Sequence, residues 1–188
     1  MENKEVRKKV FETIILLLKT SFVAGVIVLL LRGFLFIPVE VTGQSMESTL
    51  MQSDLIIMER FSTIKRFDVV VIRLKDAETL VKRVIGLPGD SIKFQDNQLY
   101  VNDQKVKEPF LANNLKNYHQ QAPFTNDFTL ETVIGKTHLD EGEYFVLGDN
   151  RPYSRDSRLF GVVHEEDILG KGLFVYYPFQ DMKWLRRF

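Results

Sequence analysis

Residues 79–90 read TLVKRVIGLPGD. Leu, Val and Ile dominate the first part of this stretch, and these residue types favour strands. The run ends at Leu87-Pro88-Gly89-Asp90, which is a strong turn signal. The stretch therefore predicts a β-strand from Thr79 to Ile85, and it sets the expectation of a β-rich fold around that strand.

The predicted strand carries two adjacent cations. Successive side chains of a strand point to opposite faces, which gives the sets Leu80, Lys82 and Val84, and Val81, Arg83 and Ile85. Alternation does not decide which set is buried. Arginine stays protonated in proteins, whereas a desolvated lysine can lose its proton. Lys82 is thus a candidate general base; the alternative is a strand-edge lysine that discourages aggregation.

Further strand patterns lie on both sides of this stretch. They cover Asp54–Met58, Asp68–Ile72, Ser91–Phe94, Gln98–Val101, Glu143–Leu147 and Gly170–Tyr177. Asp96-Asn97 separates two of them and predicts a tight hairpin turn. No helical periodicity of useful length occurs past residue 40, so a mostly β domain of antiparallel sheets is expected. The polar segment Asn102 to Asp140 is expected to form an excursion from the core sheets.

An apolar run from about Phe11 to Ile37 precedes the strand patterns. Between Ile14 and Ile37 its only charged residues are Lys19 and Arg32, and roughly 20 residues suffice to cross the hydrocarbon core. A buried core helix is the weaker interpretation, because the run is apolar on all faces. A transmembrane helix is predicted.

The sequence around this helix predicts its orientation and its retention. Basic residues precede it, namely Lys4, Arg7, Lys8 and Lys9, so the positive-inside rule places the N-terminus in the cytoplasm. A cleavable signal peptide would end in small residues, but this run ends in RGFLFIP, residues 32–38. We expect residues 1–37 to form a cytoplasmic basic N-terminus with a single uncleaved anchor, and residues 38–188 to form an extracytoplasmic β-rich domain.

Composition excludes several classes of protein. The chain has 188 residues, a formal net charge of zero and no cysteine. A nucleic-acid binder with a basic surface, disulfides and thiolate metal sites are therefore not expected. The three histidines show no ligand spacing, so no metal site is predicted.

Three stretches contain the residues with chemical potential: GQSMESTL at 43–50, VKRVIGLPGD at 81–90 and GDNRPYSRDSR at 148–158. Alone, each has an ordinary interpretation, because Gly-x-Ser is common in loops and the third stretch could be a solvated turn. Together they offer a serine and a lysine. A neutral lysine can accept the proton of a serine hydroxyl and so replace histidine in acyl transfer.

In this order the three stretches closely resemble the conserved boxes of type I signal peptidases, the Ser/Lys enzymes that remove signal peptides from exported preproteins. RFDVVV at 66–71 also resembles the strand that the family has between the first two boxes. The resemblance extends from the predicted anchor to about Tyr177. The single anchor and modest size are similar to the Gram-positive form.

The resemblance implies a role for each matching residue. Ser45 is the nucleophile and Lys82 the general base, and Ser154 forms a hydrogen bond with the Lys82 amine and orients it. Three further residues support the site: Asp156 pairs with Arg158, and Arg83 lies nearby. Met46 helps to line the substrate pocket. The implied partners are preproteins with small residues at the first and third positions before the cut, and membrane lipids; no cofactor is implied.

Two positions depart from the family pattern. Ser48 stands where the family usually has proline, which predicts a looser turn after the nucleophile. Gly43 stands where some relatives have a serine whose hydroxyl helps to bind the oxyanion. The Ser45 backbone N–H is then the expected oxyanion donor, with a second donor unassigned.

Chain length constrains where the nucleophile lies. Phe36 and Ser45 are nine residues apart, a span of at most about 30 Å when extended, so Ser45 is expected near the outer membrane face. Two other functions fit the sequence less well. The anchor and the lack of a DNA-binding domain disfavour a self-cleaving Ser/Lys repressor, and intact Ser45, Lys82 and Ser154 disfavour a silent anchored domain that binds exported chains.

Overall fold

The computed structural model describes residues 2–35, 37–75 and 77–185, with the backbone alone for 2–5 and 30–35. The chain forms two compact units, Met1–Ile37 and Pro38–Phe188. The first unit is the helix α1, Glu2–Leu35. Its segment Val6–Leu29 is long and apolar enough to cross a membrane, and none of it is buried against the rest of the chain. The helix thus begins before the apolar run, because the charged residues that precede Phe11 are helical as well.

The second unit is built mainly of strands. They are β1 Ile37–Glu40, β2 Leu55–Glu59, β3 Val69–Arg73, β4 Thr79–Gly86, β5 Ile92–Gln95, β6 Gln98–Val101, β7 Gln104–Val106, β8 Phe128–Thr129, β9 Glu143–Leu147, β10 Val163–His164, β11 Ile168–Tyr177 and β12 Lys183–Trp184. The large sheet has the order β1-β2-β11-β3-β4-β9-β10, with β12 paired to β11. The small sheet has the order β7-β6-β5-β8. The predicted antiparallel β-rich fold is confirmed.

Strand β4 lies inside the large sheet and is buried on both faces. It pairs antiparallel with β3, where Val70 is opposite Lys82, and with β9, where Arg83 is opposite Leu147. Val84 packs in a cluster on one face, whereas Ile85 packs in the other cluster, which extends to the small sheet. The two-face alternation is therefore real, but both faces are covered, so both cations of β4 are buried.

The small sheet is made by two tight turns. Asp96 and Asn97 have φ angles of 52° and 59°, as a two-residue hairpin between β5 and β6 requires. This confirms the predicted turn. Asn102 and Asp103, with φ of 50° and 61°, form a second such turn between β6 and β7.

Residues 102–140 contribute more than a loop. They hold β7, the 3₁₀ turn Pro109–Leu111, the helix α2 Ala112–Asn117, β8 and the helix α3 Leu130–Ile134. Phe110 and Leu111 of the 3₁₀ turn are buried in the core. The segment therefore completes the small sheet and fixes α2 to the core. The short helix α4, Ser157–Phe160, follows the third conserved stretch.

Candidate active site

Ser45 lies in a compact turn that is anchored by buried apolar neighbours. The N–H groups of Thr49 and Leu50 both donate to the Met46 carbonyl, each at 2.8 Å, so the chain winds through a helical turn directly after Ser45. Met46 and Leu50 are 1% and 0% exposed and hold this turn against the core. Ser45 itself is half-exposed at the surface of the turn.

Lys82 reaches the Ser45 hydroxyl from the middle of β4. Its Nζ lies 2.6 Å from Ser45 Oγ and also donates to the Val81 carbonyl at 3.2 Å. The Lys82 side chain is 1% exposed. A serine and a lysine from stretches 37 residues apart are thus in direct hydrogen-bond contact.

Burial changes the acid–base property of Lys82. Desolvation disfavours the ammonium form and lowers the pKa of Lys82 from 10.5 to about 8, although the nearby carboxylates of Asp156, Glu78 and Asp149 oppose this shift. Arg155 lowers the pKa slightly further. A substantial fraction of Lys82 is therefore neutral at mildly alkaline pH, as a general base requires.

Ser154 does not make the hydrogen bond that the family resemblance implies. Its side chain is buried, and its Oγ has no hydrogen-bond partner among the described residues. The hydroxyl lies instead against Gly148: a Cβ added at Gly148 would stand 2.2 Å from Ser154 Oγ and 2.4 Å from the Ser45 carbonyl oxygen. Only glycine leaves room for the nucleophile turn and Ser154 to meet here, so Ser154 adjoins the site, and its role in orienting Lys82 stays a prediction.

Asp156 and Arg158 form the predicted ion pair. Arg158 donates to both Asp156 carboxylate oxygens at 2.8 Å, and Asp156 also accepts from the Gly148 N–H at 3.1 Å. Arg158 further donates to the Arg151 carbonyl at 2.7 Å. The pair thus fastens the two ends of the third stretch to each other.

The sequence placed Arg83 near the Asp156–Arg158 pair without naming a partner for it. In the structure Arg83 pairs with Asp149. Its guanidinium donates to the Asp149 carboxylate at 2.8 and 2.6 Å and to the Phe67 carbonyl at 2.8 Å. Thr49 donates to the same carboxylate at 2.5 Å. Arg83 and Asp149 are both essentially inaccessible. Sequence reasoning missed Asp149 and Thr49 as site-supporting residues, although both lie within the stretches that it selected.

The donor expected to bind the oxyanion is the Ser45 backbone N–H. Within the described part of the chain, no acceptor bonds the Ser45 N–H, whereas the Ser45 carbonyl accepts from the Asn150 N–H at 3.0 Å. Gly43 has a φ of 80° and offers no side-chain donor. Met46, assigned to the substrate pocket, is 1% exposed, so its contact with substrate stays a prediction.

The turn after the nucleophile is tied down at Ser48. The Asn114 carboxamide oxygen accepts from the Ser48 N–H at 3.2 Å and from the Ser48 hydroxyl at 2.5 Å. The sequence gave no signal for Asn114, which lies in the polar segment without a recognisable motif. Among the described residues, no group of three or more histidines or carboxylates could hold a metal ion.

The chain is similar to several known proteins. Residues 14–177 match the sequence profile of the family described as signal peptidase, peptidase S26. The chain is 44% identical to signal peptidase I V of Bacillus subtilis, over 79% of this chain and 93% of that one, and 46% identical to signal peptidase I of Bacillus caldolyticus, over 85% and 89%. It is 34% identical to signal peptidase IB of Staphylococcus aureus, over 94% of each chain.

A solved structure is similar as well. The crystal structure of a signal peptidase I from Enterococcus faecalis matches with a TM-score of 0.56 and 39% identity. The match covers 58% of this chain and 97% of that one.

Proposed function

The chain belongs to the signal peptidase family, peptidase S26, and is an enzyme that removes signal peptides; we propose that it does so with Ser45 as nucleophile and Lys82 as general base. The observation that carries the proposal is the 2.6 Å contact between Ser45 Oγ and Lys82 Nζ, made by a lysine that is almost completely buried. A nucleophile within hydrogen-bond reach of a base with lowered pKa is what acyl transfer needs.

The geometry supports the following sequence of steps. Neutral Lys82 takes the Ser45 hydroxyl proton as Oγ attacks the carbonyl carbon of the scissile bond, and the Ser45 N–H donates to the resulting oxyanion. Lys82 then gives its proton to the departing amine. The signal peptide remains bound to Ser45 Oγ as an ester. Lys82 next takes a proton from a water molecule as the water oxygen attacks the ester carbonyl. The bond from that carbon to Ser45 Oγ breaks, and Lys82 returns the proton to Oγ, which restores the hydroxyl.

The substrates we propose are preproteins with an N-terminal signal peptide and small side chains at the first and third positions before the cut. Relatives of this chain at 34–46% identity are named signal peptidase I, which supports this substrate class. An extended substrate would lie beside a strand and gain main-chain hydrogen bonds.

We also propose how the chain is placed in the cell. The helix α1 anchors residues 1–37 in the cell membrane among its lipids with the N-terminus in the cytoplasm, and residues 38–188 form the catalytic domain on the outer face. The apolar segment Val6–Leu29 and the basic residues before it support this orientation. The assignment requires α1 to be retained as an anchor.

The dyad is tested with the full-length enzyme in detergent and a preprotein that carries Ala-x-Ala before the cut. Ser45→Ala and Lys82→Ala are each expected to abolish cleavage because they remove the nucleophile and the base. Lys82→Arg is expected to do the same, because arginine keeps the positive charge but cannot be deprotonated. Lys93→Ala, which removes an exposed lysine from β5, is the matched control and should cleave normally. Cleavage by Lys82→Arg at the normal rate would exclude a neutral lysine as base.

A further inference from the structure

Asn114 lies on α2, 66 residues away from the turn to which it binds. Its carboxamide oxygen accepts from the Ser48 N–H and from the Ser48 hydroxyl, as described above. Its carboxamide nitrogen donates to the Glu47 carbonyl at 2.5 Å and to the Asp149 carbonyl at 3.1 Å. One side chain therefore joins the nucleophile turn to the strand end that carries the third stretch.

These contacts are complementary in donor and acceptor type. The peptide unit between Glu47 and Ser48 offers one carbonyl acceptor and one N–H donor, and a carboxamide offers one donor group and one acceptor in return. Both backbone groups are satisfied by Asn114 alone. The second N–H of the carboxamide remains for Asp149. No other uncharged side chain of this size satisfies all of these partners.

Asn114 is itself held firmly. The preceding 3₁₀ turn buries Phe110 and Leu111 in the core. The Arg83 guanidinium lies 4.1 Å from the centre of the Phe110 ring, and Phe67 packs against that ring edge-on with centroids 5.1 Å apart. Asn114 thus projects from a short helix whose start is fixed to β4, the strand that carries Lys82.

The nucleophile turn is fastened on both sides of this contact. Asn150 donates to the Ser45 carbonyl at 3.0 Å and to the Gln44 carbonyl at 3.1 Å. Thr49 donates to the Asp149 carboxylate. Asn114 contacts Glu47 and Ser48, which lie between Ser45 and Thr49 in the turn. It lies outside the three stretches that form the rest of the site.

We infer that Asn114 is a positioning residue for the reaction: it holds the Glu47–Ser48 segment so that Ser45 Oγ stays within reach of Lys82 Nζ. This inference rests on the proposed Ser45–Lys82 dyad. Without Asn114 the turn loses three hydrogen bonds and the Asp149 carbonyl loses a fourth, but Ser45 and Lys82 both remain. A displacement of about 1 Å at the nucleophile can reduce the rate about 100-fold, so the contact matters for catalysis even though Asn114 touches no reacting atom.

The test measures kcat and KM of the full-length enzyme in detergent with an Ala-x-Ala preprotein. Asn114→Ala is expected to lower kcat about 10- to 100-fold and to leave KM within about threefold, because the substrate does not bind to Asn114. Asn117→Ala, which removes an exposed asparagine from the same helix, is the matched control and should behave as the unmodified enzyme. Asn114→Asp keeps the size and the acceptor but loses both donors, so the same loss in kcat is expected.

Thermal unfolding of each variant separates positioning from folding. Assays are run well below the lowest midpoint, so that every variant is folded when its rate is measured. If Asn114→Ala and Asn114→Asp only lower the midpoint and retain kcat within about twofold, the positioning role is wrong. A rise in KM at unchanged kcat would also overturn it, because that pattern indicates lost substrate binding.

A double variant tests whether Asn114 acts through Ser48. Ser48→Ala removes the hydroxyl bond that Asn114→Ala also removes, so the kcat loss of the double variant should be smaller than the product of the two single losses. Losses that multiply fully would show independent effects and contradict the inference. Ser45→Ala is included throughout: if it cleaves, the dyad fails and the inference with it, whereas inactive Ser45→Ala beside fully active Asn114→Ala overturns the positioning role alone.

Discussion

Lys82 combines two properties that rarely occur in one residue. It is completely enclosed by the sheet, and its nearest polar contact is the serine hydroxyl that it is proposed to deprotonate. Burial of a charged lysine costs folding free energy, whereas the same burial supplies the neutral amine that catalysis uses. Activity and stability should therefore respond to pH at this one residue in linked ways.

The rate of cleavage should follow deprotonation of Lys82. Because the pKa of Lys82 is about 8, kcat/KM is expected to rise about tenfold per pH unit below pH 8 and to level off above it. The charged groups facing Lys82 are Asp156, Glu78, Asp149 and Arg155. The measurement is a pH–rate profile from pH 6 to 10, and a flat profile would contradict a lysine base.

Burial of Lys82 should also make the stability of the protein depend on pH. Below pH 8 both folded and unfolded chains carry a protonated Lys82, so the folded state bears the full cost of the buried charge. Between about pH 8 and 10.5 the unfolded chain binds more protons, and stability therefore rises with pH. Lys82→Met should be inactive yet more stable at pH 7, by up to about 3 kcal/mol, with an advantage that shrinks towards pH 10.5. Denaturant titrations at pH 7 and 10.5 measure this; equal stability of the two proteins at pH 7 would show that the buried amine costs nothing.

At the residue scale, the sequence yields side chains that belong to a recognisable stretch. Ser45, Lys82, Asp156 and Arg158 could be selected in advance, and the last two form the expected ion pair. Asn114 could not be selected, because its four contacts depend on a fold that brings together residues far apart in sequence. The role of Ser154 stays a prediction for a related reason: membership of the motif places Ser154 beside the site but does not fix the orientation of its hydroxyl.

At the scale of elements, β4 is coupled to the strand end after β9 by charge. Arg83 and Asp149 form an ion pair that is fully removed from water and further bonded by Phe67 and Thr49. Removal of one member of such a pair leaves a buried charge without compensation, which is far more costly than the loss of an exposed pair. The pair therefore fixes the distance between Lys82 on β4 and the loop that supports Ser45.

Two aspartate substitutions compare these cases directly. Asp149→Ala is expected to destabilise the protein by about 3–5 kcal/mol, because Arg83 remains buried and charged. Asp140→Ala removes an exposed partner of Lys136 and should cost less than about 1 kcal/mol. Urea unfolding of both variants gives the two free energies. A cost for Asp149→Ala as small as that for Asp140→Ala would mean that water reaches Arg83 when its partner is removed.

The strands were easier to predict than the connections. The strand expected at Glu143–Leu147 has those bounds, and the strand expected from Thr79 to Ile85 is one residue longer and ends at Gly86. Runs of Val, Ile and Leu that are bounded by turn residues indicate a strand clearly. The segment 102–140 was obscure for a physical reason. Its elements are two to six residues long, and they are stabilised by packing on the core rather than by their own periodicity.

At the scale of the whole molecule, the chain combines an apolar helix with a β-rich unit that has hydrophobic clusters of its own. Val6–Leu29 is long and apolar enough to cross a membrane. A lipid bilayer is the environment that suits a helix exposed on every face. Since the protein is membrane-anchored by this interpretation, retention in the membrane should depend on α1 alone.

Charge placed in α1 should therefore release the enzyme, whereas charge placed elsewhere should not. Leu17→Lys together with Val23→Lys adds about 5–7 kcal/mol to the cost of inserting the helix, so we expect the double variant to appear in the soluble fraction after alkaline extraction. Gln52→Lys with Gln121→Lys adds the same charge at exposed positions and should stay in the membrane pellet with the unmodified chain. Mass spectrometry of the membrane-bound protein should find peptides of α1, because an anchor is not cleaved. A shorter mature protein that lacks α1 would show instead that the helix is a signal peptide, and the proposed topology would then be wrong.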